Sequence, residues 1–174
     1  MASEWPTTSL AEACASVRYG YTAKAIERDT GVRFLRGTDI SGRNHIDWHA
    51  VPFCEISDSD EAKYELADGD IVIVRMGTIG ETAIVKSPPR AVCASYLIRH
   101  RIDTAVASPD YVHYVLRSDL FRSFIESHGG GSVQPNINAK VLGGFEFPLP
   151  PKKFQQRIAD VLGKLDDKIE LNRR

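Results

Sequence analysis

The sequence predicts an α+β architecture: one globular domain of mixed strands and helices, followed by a protruding C-terminal α-helix suited to coiled-coil-like pairing. Three observations carry this prediction. Short apolar runs alternate with turn residues between Val32 and Arg99, a helix-start signature stands at Ser108-Pro109-Asp110, and a one-sided amphipathic segment follows a proline-rich run near the end. A length of 174 residues suffices for one domain with a proper core but not for two full ones. Apolar residues at 43% and charged residues at 26% exclude a disordered or fibrous chain.

Val32 to Leu35 and Asp70 to Arg75 read as the first strands, and Glu81 to Val85 and Ala91 to Arg99 follow at hairpin spacing, as in an antiparallel or mixed sheet. Between the second and third lies Met76-Gly77-Thr78-Ile79-Gly80, whose two glycines can take φ > 0 and bring the backbone close to a ligand. Ser108 offers a capping hydroxyl, Pro109 a first-turn proline and Asp110 a first-turn acid, so a helix is expected from Pro109 to Ser127. Its core stripe is Val112, Val115, Leu116, Phe121, Phe124 and Ile125, and Gly129 to Gly131 end it. The polar loop Ser132 to Asn138 follows.

Phe147-Pro148-Leu149-Pro150-Pro151 fits neither a helix nor a central strand and reads as a stiff, extended hinge. Residues 1–147 are thus expected to form the globular domain, 148–153 the hinge and 154–174 the final helix. In that helix Phe154, Ile158, Val161, Leu162, Leu165 and Ile169 recur at a spacing of three to four. Its length of roughly 31 Å exceeds what a small globule covers, which favours a partner helix over docking on its own domain.

Net charge is −1, so no global positive field advertises a nucleic-acid binder. The distribution is uneven, however, because Glu55 to Asp70 holds seven acids against Lys63 and leaves the remainder positive. Arg33, Arg36 and Arg43, with Thr38 and Ser41 between them, form a basic polar stretch able to follow a phosphate backbone. Three widely spaced cysteines, Cys14, Cys54 and Cys93, suit reduced thiols. The first residues lack a secretory pattern and no run is long enough to span a bilayer, so a cytoplasmic address without membrane contact is expected.

Catalytic chemistry is hard to find. His45, His49 and Cys54 lack a fourth ligand, and Asp47, Trp48 and Pro52 break the helix that would align them. Asp70 and Glu81 suggest the paired acids of a metal-dependent nuclease, yet Ala83 stands where that pattern needs a lysine. Ser87-Pro88-Pro89-Arg90 is similar to the motif of amino-group DNA methyltransferases, with Arg90 in place of the ring that stacks on a flipped base. No metal, cofactor or catalytic residue is assigned.

Four further segments occur in a telling order: Gly69 to Gly80, Gly131 to Asn138, Pro148-Leu149-Pro150-Pro151, and Leu165-Asp166-Asp167-Lys168-Ile169-Glu170-Leu171-Asn172-Arg173-Arg174. Together they resemble the specificity subunit of type I restriction-modification systems. Such subunits carry two target-recognition domains, each followed by a long helix, and this chain corresponds to a half-subunit. The resemblance implies a non-catalytic DNA-recognition chain that directs modification (methyltransferase) and restriction subunits to a gapped double-stranded site. It places Arg75, Gly77, Thr78 and Gly80 on a hairpin tip against DNA, with Ser132, Gln134, Asn136 and Asn138 supplying amides and a hydroxyl. Pairing of two copies through the final helices would impose two-fold symmetry on the target. The alternatives are a small nuclease or methyltransferase fragment, and a module that binds only protein through its helix.

Overall fold

The computed structural model describes residues 5–40, 45–129 and 136–172. In chain order they form β1 (Thr7–Ser9), β2 (Cys14–Tyr19), β3 (Arg33–Leu35), α1 (Gly37–Ile40), α2 (Asp58–Tyr64), β4 (Ile71–Val74), β5 (Thr82–Ile84), β6 (Ala91–Cys93), β7 (Leu97–Ile102), α3 (Pro109–Leu116), α4 (Asp119–Gly129), α5 (Ala139–Gly143), β8 (Glu146–Pro148) and α6 (Lys152–Asn172). Strands β2, β7, β4 and β5 make an antiparallel sheet in that order, while β1 pairs with β8 and β3 runs parallel to β6. Among the described residues no helix is long and apolar enough to cross a membrane.

Strand β4 explains the layering. Its Ile-Val-Ile-Val run is apolar at every position because both faces are covered. Ile71 and Ile73 join Ile98 in one core with Tyr111, Val112 and Leu116 of α3, Phe121 of α4 and the aromatic pair Phe145 and Phe147. Val72 and Val74 face a second core with Leu35, Val51, Val85 and Leu97. Each such side chain contributes about 1.5–3 kcal/mol on burial, so β4 is the strand the rest of the domain is built around.

The structure corrects three boundaries. The helix expected from Pro109 to Ser127 is two helices. The N–H of Arg117 caps α3 on Tyr114 and Val115 carbonyls, the Ser118 hydroxyl donates to Val115 O, and the chain restarts when Arg122 N–H bonds Ser118 O. The core stripe nevertheless faces inward as expected, with Val115, Phe124 and Ile125 packed around buried Val112, Leu116 and Phe121. The run Ala91 to Arg99 divides into β6 and β7, which belong to different sheets. The turn between them is met by Gly20, where a Cβ would lie 2.2 Å from Ala94 O, so only glycine allows this approach.

The proline-rich run is tied down at several points. Phe147 is buried within β8, Leu149 N–H donates to Pro6 O, and Tyr111 Oη donates to Pro148 O. Helix α6 begins at Lys152, two residues before the expected Phe154. Ile158 packs on the first core and Ala159 is buried, whereas Phe154, Val161, Leu165 and Ile169 remain 45–53% exposed. The single stripe of the sequence is therefore two faces, one docked at home and one open.

Candidate nucleic-acid interface

The β4–β5 hairpin closes through Gly80 N–H to Val74 O and Glu81 N–H to Thr78 O. Gly77 and Gly80 hold φ of 82° and 87°, the left-handed region that favours glycine. Their surroundings differ. A Cβ on Gly77 meets nothing within 4 Å, while one on Gly80 would meet Ile125 Cγ1 at 2.9 Å. Gly77 and Thr78 thus form the open part of the tip, and Gly80 seats the tip on α4.

Onto this tip the structure stitches a second segment that is 60 residues away in sequence. Met76 and Asn136 form an antiparallel bridge, and Ile137 N–H donates to Arg75 O at 3.0 Å. Ile137 is buried in the first core, so Asn136 and Asn138 on either side of it are held at the surface. Asn138 also caps α5, its Oδ1 accepting from Val141 N–H at 2.9 Å. The Gly77 hairpin and the Asn136–Asn138 segment are therefore one edge. Ser132 and Gln134, expected between them, lie outside the described residues, as do Ser41 and Arg43.

Arg75 is the cation of this edge. Its guanidinium lies 5.1 Å from the centre of the Tyr19 ring, its Nη1 is 3.6 Å from Met76 Sδ, and among the described residues it makes no ion pair. Tyr19 Oη accepts the Ala139 N–H at 3.0 Å, so this one side chain ties β2, the hairpin and the start of α5 together. Tyr96, whose carbonyl accepts the Arg75 N–H, is also 50% exposed. Sequence reasoning missed Tyr19 and Tyr96. Alternation of Val17, Tyr19 and Tyr21 was the available signal, but β2 is an exposed edge strand with no apolar run to mark it.

Arg33 and Arg36 are committed elsewhere. Arg33 stacks 3.9 Å from the Phe53 ring centre and donates to Val51 O at 2.5 Å. Arg36 makes a two-point contact with Asp39, through Nε to Oδ2 at 3.0 Å and Nη2 to Oδ1 at 2.9 Å. That contact holds the guanidinium pKa above its usual range. Thr38 is exposed in α1 between them. This region is not joined by any of these contacts to the Arg75 edge.

The acids do not assemble for catalysis. Asp70 is buried and both its oxygens are taken by Arg101 at 2.8 Å. Glu81 faces Val74 at the opposite end of β4, about 13 Å away at strand spacing, too far to share one ion with Asp70. Arg90 pairs with Glu61 instead, through a partly exposed side chain. Burial raises the thiol pKa of Cys14 to about 12, of Cys54 to about 11 and of Cys93 to about 12, so none is an activated nucleophile. Among the described residues no cluster of three metal-ligating side chains is present.

The described residues thus make a mixed α/β domain with a loop-built polar edge and a long helix open along one apolar face. Residues 5–174 match the family described as Type I restriction modification DNA specificity domain, and the chain belongs to that family. It is 29% identical over 172 residues to a Methanocaldococcus jannaschii protein named as the specificity subunit of type I restriction enzyme MjaX, covering 95% of this chain and 40% of that one. It is 24% identical over 180 residues to the HindI specificity subunit of Haemophilus influenzae, covering 98% and 37%. The HsdS subunit from Thermoanaerobacter tengcongensis shares the fold, with a TM-score of 0.72 at 17% identity over 98% of this chain and 44% of that one. The S subunit from M. genitalium does so with a TM-score of 0.68 at 15% identity over 96% and 40%. The chain thus spans less than half the length of these relatives.

Proposed function

We propose that this chain is a non-catalytic DNA-reading half-subunit that selects one half of a gapped duplex target for modification and restriction subunits. The observation that carries the reading is the Arg75 edge: an arginine with no ion pair among the described residues, fixed on a tyrosine ring, beside an open glycine turn and two exposed asparagines. Arginine and asparagine read base edges in the major groove, and the bare Gly77 backbone allows close approach to them. Arg33, Arg36, Thr38, Ser41 and Arg43 are proposed to support register on phosphates, Thr78 and Gly80 to belong to the tip that approaches DNA, and Ser132 and Gln134 to supply a hydroxyl and an amide to bases or phosphates. Residues 1–147 are the recognition unit, and α6 is the partner helix.

The open face of Phe154, Val161, Leu165 and Ile169 is proposed to pair antiparallel with the same face of a second copy. Isologous pairing of two recognition domains reads two inverted half-sites. The chain is proposed to act in the cytoplasm, where modification and restriction subunits meet DNA.

The test is a salt titration of DNA binding by the complex assembled with modification subunits. Affinity should fall as salt rises, and Arg75→Ala should weaken binding at least about tenfold without lowering the melting temperature. A flat salt response with an unaffected variant would favour a module that binds only protein. Product formed by the isolated chain with magnesium or with S-adenosylmethionine would overturn the reading outright.

A further inference from the structure

We infer that Arg18 and Lys63, set on the Tyr64 ring beside the buried Arg99, form a separate phosphate-binding site on the face of β2 turned away from Arg75; this goes beyond the base-reading role proposed above. Within β2, Tyr19 stands opposite Ile98 and fixes Arg75, whereas Arg18 stands opposite Arg99 and so lies on the other face of the sheet. Like charges directly opposite one another destabilise an antiparallel pair. A third guanidinium, Arg101, lies two residues along β7 on the same face as Arg99. Burial first, and then the neighbouring charges of Arg101 and Arg18, hold the Arg99 pKa below its usual range.

The three arginines are answered very differently. Arg101 is met by both oxygens of Asp70, each at 2.8 Å. Arg99 is 5% exposed; its Nη1 donates to Glu65 O at 2.6 Å, just past the end of α2, while its Nε is buried without a hydrogen-bond partner. Arg18 is exposed, and its guanidinium lies 6.0 Å from the centre of the Tyr64 ring. Lys63 Nζ lies 4.9 Å from that centre, and the Tyr21 ring packs 5.2 Å from it. Among the described residues neither Arg18 nor Lys63 makes an ion pair. Asp70 and Glu65 are the acids whose charges reach Arg101, so four cations face two acids and the cluster stays positive.

Such a cluster costs the free domain stability and becomes favourable only when an anion enters it. Guanidinium forks match phosphate oxygens, and the Lys63 ammonium adds a point charge beside them. Arg18 precedes Tyr19 by one residue, about 3.8 Å of backbone, and duplex DNA carries a charge about every 1.7 Å along its axis. A duplex seated on the Arg75 edge is therefore the nearest source of phosphate, and free phosphate offers the same chemistry. A contact of this kind adds affinity for any sequence and carries no base information.

The experiment has two arms. In the first, DNA affinity of the full chain assembled with its modification subunits is followed across salt concentration. Arg18→Ala should flatten the slope of log affinity against log salt by about 1 and weaken matched and mismatched duplexes alike, by about three- to tenfold. Its melting temperature should be no lower than that of the wild type, because the repulsion from Arg99 is relieved. Arg18→Lys, which keeps the charge, should restore most of the slope. In the second arm inorganic phosphate is added to the full chain alone, against chloride at equal ionic strength. A rise in melting temperature that Arg18→Ala lacks assigns the site to free phosphate as well; a changed salt slope without that rise assigns it to the duplex backbone. An unchanged slope with no phosphate-dependent rise would overturn the inference, as would lost binding that tracks a lower melting temperature. If the wild-type complex binds no DNA, the base-reading proposal falls by itself and the phosphate arm decides this one.

Discussion

His100 and His113 predict an acid-sensitive fold whose magnitude can be worked through. His100 is fully buried in β7, with Nδ1 on Ile98 O, and His113 is buried on α3 near Arg117, Lys86, Asp110 and Asp166. Burial is the main cause that lowers both from 6.5 to about 4. The folded state thus resists protonation that the unfolded state accepts near pH 6.5. Stability from each neutral imidazole is fully present above that pH and is lost as pH falls toward 4. At pH 5 the loss is about 2 kcal/mol per histidine, or about 4 kcal/mol for the pair, a large share of a typical domain's stability. Urea unfolding followed by circular dichroism, stepped from about pH 8 to about pH 5, reads it directly. His113→Phe should remove about half of the slope, because Nδ1 of His113 makes no hydrogen bond that the substitution would break. Equal unfolding free energies at both ends of the range would refute the argument.

Three glycine substitutions separate fold from site. Gly163→Ala should raise stability by about 1 kcal/mol, seen as a higher melting temperature, since the added Cβ makes only ordinary contact with Tyr114 Oη at 3.6 Å. Gly20→Ala should cost more than about 3 kcal/mol, because its Cβ would sit 2.2–2.5 Å from backbone atoms of Cys93 and Ala94; a sharply lower urea midpoint checks this. Gly77→Ala should cost only about 1–2 kcal/mol for its left-handed backbone, yet weaken DNA binding by the assembled complex in a filter or shift assay.

How much of this was legible in the sequence depended on whether the cause was local. The run Ile71 to Val74 announced itself, since burial on both faces demands four apolar residues in a row. The stripe from Val112 to Ile125 was legible too, while the break at Arg117 and Ser118 was not, because apolar periodicity continues across it. Strand β2 left almost no trace: Cys14 to Tyr19 is an exposed edge whose place is fixed by Gly20 meeting carbonyls more than 70 residues away. Tyr19 was invisible for the same reason, its partners Arg75 and Ala139 being distant in the chain. The α6 stripe was legible as apolar, but its division into a docked and an open face depends on α3, which no window over residues 154–174 contains.

The placement of Arg75 shows why such an edge can be exacting. An arginine on a mobile loop loses side-chain entropy when it meets a base, roughly 1.5–2 kcal/mol, and that loss blunts discrimination. Here the backbone of Arg75 follows directly from a strand buried on both faces, its N–H and C=O are bonded to Tyr96 and Ile137, and its guanidinium rests over Tyr19. Most of the ordering is complete before any ligand arrives. On the proposed base-reading role, Tyr19→Ala should narrow the difference in affinity between a matched and a mismatched duplex by more than it lowers affinity for the matched one, read in a competition binding assay of the assembled complex.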